Sequence, residues 1–501
     1  MQIVWFKRDL RIFDNEAFTR ACDKGLILPL YIFEEELWQQ TSMSIKHYRF
    51  LEESLNDLNN NLEKLGQSLI IEKGNCIDIF KKYKDKFRVK TVWSHQETWN
   101  NFARIRNAKL SNWFVSNNII WLEVPQNGVI RNLKTRDGWA KKWNIRMNNS
   151  LFSPIKKLKK ISKKKYKIPS CKELGLKEER INNFIIGGRE EGLKLLNTFL
   201  YYSGKNYCLE MSSPISAINS CSKLSSHISF GNLSIKEIYQ AANKRILELK
   251  SNSFKDNKSW IRSIKSFTKR LHWHCHFIQK LEDDPKIEFN NMHKLFDGMR
   301  EENFNEKYFI AWKNGLTGYP FLDACMRALR ANGWINFRMR AMLMSFASYH
   351  LWLHWKKCAE YLATLFIDFE PGIHYSQSQM QSGTTGINSI RIYNPIKQGK
   401  DHDPDGVFIR KWVPELSGIE SDNIHTPWLL NFYLKNYPLP IVDEKKARND
   451  AAKKIFLVRN KKKFQDLSKN IYFKHGSRKS KLKNTNKNKN KTFNKQQLRL
   501  F

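Results

Sequence analysis

Three kinds of signature are missing from this chain of 501 residues. Its eight cysteines are scattered, with no C-x-x-C pair and none beyond Cys358. That pattern excludes a disulfide framework or an iron–sulfur site and points to a reducing, cytoplasmic compartment. No G-x-G-x-x-G and no Walker A string occurs, so an ordinary dinucleotide or nucleoside-triphosphate site is not expected. No apolar run approaches the ~20 residues of a membrane helix, and Gln2–Trp5 gives way at once to Lys7-Arg8-Asp9-Leu10-Arg11. Neither a membrane partner nor a secretory leader is expected. Acidic residues are scarce too: 48 Asp and Glu stand against 87 Lys and Arg, a formal net charge of +39.

Such an excess favours a polyanionic partner. Of it, +17 falls in residues 444–501, where 20 Lys or Arg face 3 Asp or Glu, and +22 remains on the rest. A drift of composition towards Lys and Asn would produce the same excess with no partner at all.

Residues 1–130 alternate short apolar runs with amphipathic stretches. Gln2–Phe6, Leu26–Phe33, Ser68–Glu72, Thr91–Ser94 and Ile119–Val124 read as strands, with Tyr48–Leu65 and Thr98–Ser116 as helices between them. An α/β domain with a parallel sheet follows. A connector spans 131–191 and contains Lys156–Lys167, eight lysines in twelve residues, a solvated loop or a phosphate-contacting patch. From 192 to 440 the period is helical almost throughout, giving a large all-α domain. Residues 441–501 form a basic, partly disordered tail, amphipathic over Ala451–Phe464 and then rich in Lys and Asn.

The centre of the helical part is Tyr308–Leu416. Phe321–Arg330 follows a proline and stops at Asn332-Gly333, as a helix should. Arg338–Trp355 is too apolar for a surface helix, so Arg338 and Arg340 need anionic or dipolar partners in a buried setting. Asp368, Glu370 or a bound cofactor could serve. Three further stretches carry chemistry. Cys221-Ser222-Lys223-Leu224-Ser225 puts hydroxyls and a lysine before a helix, suiting either a pyrophosphate or a plain helix cap. Arg270-Leu271-His272-Trp273-His274-Cys275-His276 holds three histidines, of which only His272 and His276 share a helix face, so no metal site is expected. Asp368-Phe369-Glu370 and His374 close the list.

The string Trp312-x-x-Gly315-x-Thr317-Gly318-Tyr319-Pro320-x-x-Asp323-Ala324-x-Met326-Arg327, then Gly333-Trp334-x-x-x-Arg338-x-Arg340, Arg391-Ile392-Tyr393-Asn394-Pro395 and Phe408–Leu416, resembles the cryptochrome/photolyase family over residues 1–440. Trp5–Arg11 with Asp14-Asn15 matches its N-terminal signature. The resemblance implies FAD bound in the helical domain and an antenna chromophore, of folate or deazaflavin type, in the α/β domain. It implies damaged duplex DNA as partner, or else a blue-light signalling role with an unidentified partner; a monomer is expected. It also assigns roles. Ser222, Lys223, Leu224 and Ser225 match the loop gripping the flavin diphosphate, with Cys221 replacing its first hydroxyl. Tyr207 matches a tyrosine beside FAD. Trp273 matches the residue that stacks on a flipped pyrimidine, His274 replaces a flavin-side arginine, and Arg270 replaces a glutamate that protonates the lesion. Arg340 pairs with Asp368 near the isoalloxazine, Glu370 keeps a second acid, and His374 faces flavin N5. Phe337 and Met380 replace further substrate-pocket residues. Trp355 and Trp312 match the middle and distal members of an electron-transfer chain whose proximal tryptophan is Ser378. That substitution leaves a longer first step, which Tyr375 or Trp352 would bridge. His374, as an ordinary imidazole, would change charge around pH 6 to 7 and make flavin photoreduction pH-dependent.

Overall fold

The computed structural model describes residues 1–153, 155–161, 166–179, 185–251, 257–302, 304–430 and 436–477. Part of the Lys156–Lys167 run and the Lys/Asn-rich stretch from 478 onward lie outside the described residues. Five strands, β1 (Gln2–Phe6), β2 (Ile27–Phe33), β3 (Ile70–Lys73), β4 (Thr91–His95) and β5 (Ile120–Val124), form one sheet. It is parallel throughout, in the order β3-β2-β1-β4-β5. The central strands are apolar on both faces because helices cover both, among them Glu16–Asp23, Ile45–Lys64, Cys76–Phe87 and Asn101–Ser116. Chain order reverses between β1 and β4, so the carboxyl ends of these two strands open a crevice. Helices from the second half of the chain close over it.

That second half is helical as expected, with helices at Arg189–Tyr201, Ile235–Ser251, Asn257–Asp283, Glu306–Asn314 and Pro320–Asn332, the last spanning the Phe321–Arg330 run. Gly333, at φ +68, ends the last of these, and its carbonyl accepts from Ile367 N–H at 3.0 Å. One expectation needs correction. Arg338–Trp355 is not one helix: Phe337–Ser345 runs into a π turn at Phe346–His350, and the chain breaks at Trp352, whose φ is +53. Arg300 and Lys454 both lie 4.4 Å from the Trp352 ring, so cation–π contacts hold that left-handed residue. A new helix, Trp355–Leu365, follows. The tail begins with two helices, in keeping with its amphipathic start. Glu444–Arg459 buries Ala451 and Ile455 against Phe296 and Tyr349, and Phe464–His475 stacks Phe464 on His293 at 4.2 Å. Among the described residues no helix is long and apolar enough to cross a membrane.

Candidate active site

Phe337, Ala341 and Met344 fall on one face of the Phe337–Ser345 helix and form the apolar wall of a cavity. The opposite wall comes from the Pro371–Ser382 helix, which presents His374, Gln377 and Ser378. Gly372 permits that placement: a Cβ there would lie 2.6 Å from the Cα of Ile278 on the Asn257–Asp283 helix. His274 from that long helix, and Ser225 from the short helix Ser225–Ser229, complete the enclosure.

Two acids sit on the loop entering the Pro371–Ser382 helix. Asp368 accepts from Arg340 Nη1 at 2.9 Å, while Arg340 Nε donates to the Ile335 carbonyl at 2.7 Å. Burial alone would raise the Asp368 carboxyl, but the Arg340 charge and hydrogen bonds from Arg340 and Ser225 hold it below its ordinary value. Glu370 goes the other way: burial pushes it up to about 8, with only partial relief from Arg8. His374 donates Nε2–H to the Ala359 carbonyl at 2.8 Å and packs on Phe369 and Tyr375. Burial lowers it to about 4, so it is neutral across pH 6 to 7. The expected change of charge in that range is therefore corrected. Burial lowers His274 to about 4 as well.

The structure gathers some of the remaining sequence candidates and separates others. Lys223 adopts φ +54, the Leu224 N–H donates to Ser222 Oγ at 3.4 Å, and Leu224 is buried under the loop. Cys221 and Arg270 lie close enough to act on the Tyr207 hydroxyl, and Arg270 Nη2 lies 3.9 Å from Met211 Sδ. Arg338 is half-buried one position outside the cavity wall. Trp273 is not in that wall. It stacks on Phe277 at 5.6 Å and lines a neighbouring groove with Trp139 and Trp143. Trp312 and Trp355 are fully buried, donating to the Leu343 carbonyl at 3.1 Å and to Asn291 Oδ1 at 2.7 Å. Between Trp355 and the cavity stands Tyr375, 6.3 Å from Trp355 and 5.4 Å from His374 between ring centres. Trp352 faces the Glu444–Arg459 helix instead.

Sequence reasoning passed over Arg8. Its guanidinium lies 3.4 Å from the Trp99 ring centre and donates to Ser229 Oγ at 2.5 Å, joining the ends of β1 and β4 to the helical domain. The signal was available, since Arg8 directly follows the first strand of a parallel sheet, where ligands collect.

Buried polar atoms seldom lack a partner. At this cavity His274 Nδ1, Glu370 Oε1 and Gln377 Oε1 have none among the described residues. A flat heterocycle carrying donors and acceptors fits that set, beside the Arg340–Asp368 pair and the Ser225 hydroxyl. The family model described as the FAD binding domain of DNA photolyase matches residues 267–456, which include His274, Arg340, Asp368, Glu370 and His374. A second, described as DNA photolyase, matches residues 2–138. The chain belongs to the cryptochrome/photolyase family. Its helical domain is an FAD-binding domain of the photolyase type. Among relatives, a deoxyribodipyrimidine photo-lyase of Agrobacterium fabrum is 28% identical over 483 residues, covering 90% of this chain and 96% of that protein. A cryptochrome DASH of Gloeobacter violaceus is 26% identical and covers 90% and 95%. The crystal structure of a bacterial class III photolyase from Agrobacterium tumefaciens superposes with a TM-score of 0.79 at 26% identity, over 92% of this chain and 98% of that one.

Proposed function

We propose that this chain is an FAD-dependent, blue-light-driven DNA photolyase acting on a pyrimidine lesion flipped out of duplex DNA. The observation that carries the reading is the cavity between Arg340–Asp368 and Glu370, inside the matched FAD-binding domain, with three buried polar atoms awaiting a ligand. FAD bound there supplies the light absorption and the transferred electron. The residues bind and position. Arg340 and Asp368 hold the ring system, Ser222, Lys223 and Ser225 hold the phosphates, and the Leu224 side chain anchors their loop in the core. Neutral His374 and His274 keep added positive charge out of the cavity. The net charge of +39 draws DNA to the surface, with affinity falling steeply as salt rises. A lined cleft beside Trp99, Trp121 and Asn101, at the ends of β4 and β5, is the place for an antenna chromophore. The test is a repair assay: the yellow, reduced protein should restore lesion-bearing DNA under blue light and not in the dark.

Tyr375 replaces the missing proximal tryptophan in this proposal, being the aromatic ring next to Trp355 on the cavity side. Tyr375→Leu should slow flavin photoreduction by about an order of magnitude while leaving flavin content unchanged; an unchanged rate would remove Tyr375 from the path. A signalling cryptochrome is the second reading. It is favoured by Arg270 at the position of the family's lesion-protonating acid, and by Trp273 lying outside the cavity wall. Light-driven flavin reduction without any repair would select it.

A further inference from the structure

Where the Glu444–Arg459 helix meets the core, a set of buried donors stands apart from the flavin cavity. Arg300 is 3% exposed, and Tyr349, on the π turn Phe346–His350, is 1% exposed. The Arg300 guanidinium commits one nitrogen to the protein, Nη1 donating to the Ser382 carbonyl at 3.0 Å. Its other edge, Nε with Nη2, has no hydrogen-bond partner among the described residues. The Tyr349 hydroxyl and Arg459 Nε, at the end of the covering helix, have none either. These atoms share one neighbourhood. Arg300 lies 5.6 Å from the Tyr349 ring centre, and Tyr349 Oη sits against Gly383, beside the Ser382 that Arg300 engages. Burial pushes the Tyr349 hydroxyl up to about 12 against the charges of Arg300 and Arg459, so it keeps its proton to donate. Burial lowers Arg300 only to about 10, which leaves it a cation at neutral pH. The nearby acids are engaged elsewhere. Glu301 accepts from the Arg300 main-chain N–H at 2.8 Å and faces His354 at 3.7 Å, while Arg448 holds Glu444 at 2.9 Å.

A buried cation without an anion is costly, and the ring faces of Trp352 and Tyr349 offset only part of that cost. The edge left open says what would complete the balance. Nε and Nη2 form the planar fork through which a guanidinium binds two oxygens of one oxyanion. A carboxylate would use the fork alone, whereas a tetrahedral oxyanion keeps further oxygens for the Tyr349 hydroxyl and Arg459 Nε. We propose that Arg300, Tyr349 and Arg459 form a site for free inorganic phosphate, which ties the Glu444–Arg459 helix to the π turn and to the end of the Pro371–Ser382 helix. The depth of Arg300 and Tyr349 favours a small free ion over a phosphate within a nucleic-acid backbone. The inference stands apart from the flavin reading and needs neither light nor DNA.

The experiment titrates the flavin-loaded full chain, in the dark, with inorganic phosphate and with sodium chloride at matched ionic strength, read by calorimetry. Saturable binding of phosphate alone is expected, with a melting temperature that rises with occupancy. Tyr349→Phe removes only the hydroxyl, and Arg459→Gln removes only the charge at the end of the covering helix. Each should weaken phosphate binding at least about tenfold, the scale of one lost hydrogen bond to a charged group, with flavin content unchanged. Hydrogen exchange across residues 444–459 should slow when phosphate is added to the unmodified chain. Phosphate heats no larger than those of chloride, or an affinity that neither variant alters, overturn the site. So does phosphate binding that a duplex oligonucleotide displaces, because that places the ion on a DNA-binding surface. Should a variant lose flavin or fail to fold, exchange in the unmodified chain decides: slowing confined to residues around Arg300, Tyr349 and 444–459 supports the site, and exchange indifferent to phosphate refutes it.

Discussion

Asp368 and Glu370 lie two residues apart on one loop and border the same cavity, yet the protein holds them in opposite protonation states. Both are buried, and burial is the largest influence on each. What differs is the cation. Arg340 meets Asp368 at 2.9 Å and stabilises the carboxylate directly. Arg8, the cation nearest in effect to Glu370, is committed to the Trp99 ring, Ser229 and the Phe369 carbonyl, and its field alone does not offset the lost hydration. One end of the cavity therefore presents an ion pair and the other a neutral acid at pH 7. Pairs of acids driven apart by their surroundings mark sites where acceptor and donor are both wanted.

Breaking the ion pair should have the largest effect. Arg340→Ala strands a buried carboxylate, a loss on the order of 3–5 kcal/mol. Asp368 should then titrate upward as Glu370 does. Denaturant unfolding and the flavin-to-protein ratio measure this; retained flavin and unchanged stability would remove the pair from its proposed role.

Neutralising the other end should sharpen the contrast. Between its ordinary 4.5 and about 8, Glu370 keeps in the folded chain a proton that the unfolded chain has released. Stability of the flavin-free protein should therefore fall as pH rises through that window, by at most ~1.4 kcal/mol per pH unit. Glu370→Gln should abolish this fall and leave stability at pH 4.5 nearly unchanged, as read from melting temperature against pH. An identical slope in the variant would place the titration elsewhere.

The smallest effect is expected at His374. With its value lowered from 6.5 to about 4, it contributes stability that is present above 6.5 and lost as pH falls towards 4. His374→Asn should soften acid sensitivity in that range and leave the rate of flavin photoreduction between pH 6.5 and 8 as it was. A rate profile that shifts in that range would show an imidazole less buried than its setting implies.

Much of this molecule is legible in its one-dimensional pattern. The strand Gln2–Phe6 has the same bounds by either reading, because a short apolar run flanked by charge has few other places to go. The long helices follow from a 3.6-residue period, and the Arg340–Asp368 pair follows from a resemblance that carries spacing as well as residue type. Other features depend on segments far apart in the chain. The break at Trp352 is held by Arg300 and Lys454. The protonation of Glu370 is set by its burial between distant segments, which Arg8 from the end of the first strand only partly offsets. The helix around Trp273 is equally readable, but which cavity its ring enters is set by Phe277 beside it and by Trp139 and Trp143 from another helix. Local periodicity says which residues share a face. Burial, charge compensation and the side of a helix that meets a ligand are properties of neighbours in space, and only the tertiary structure decides those.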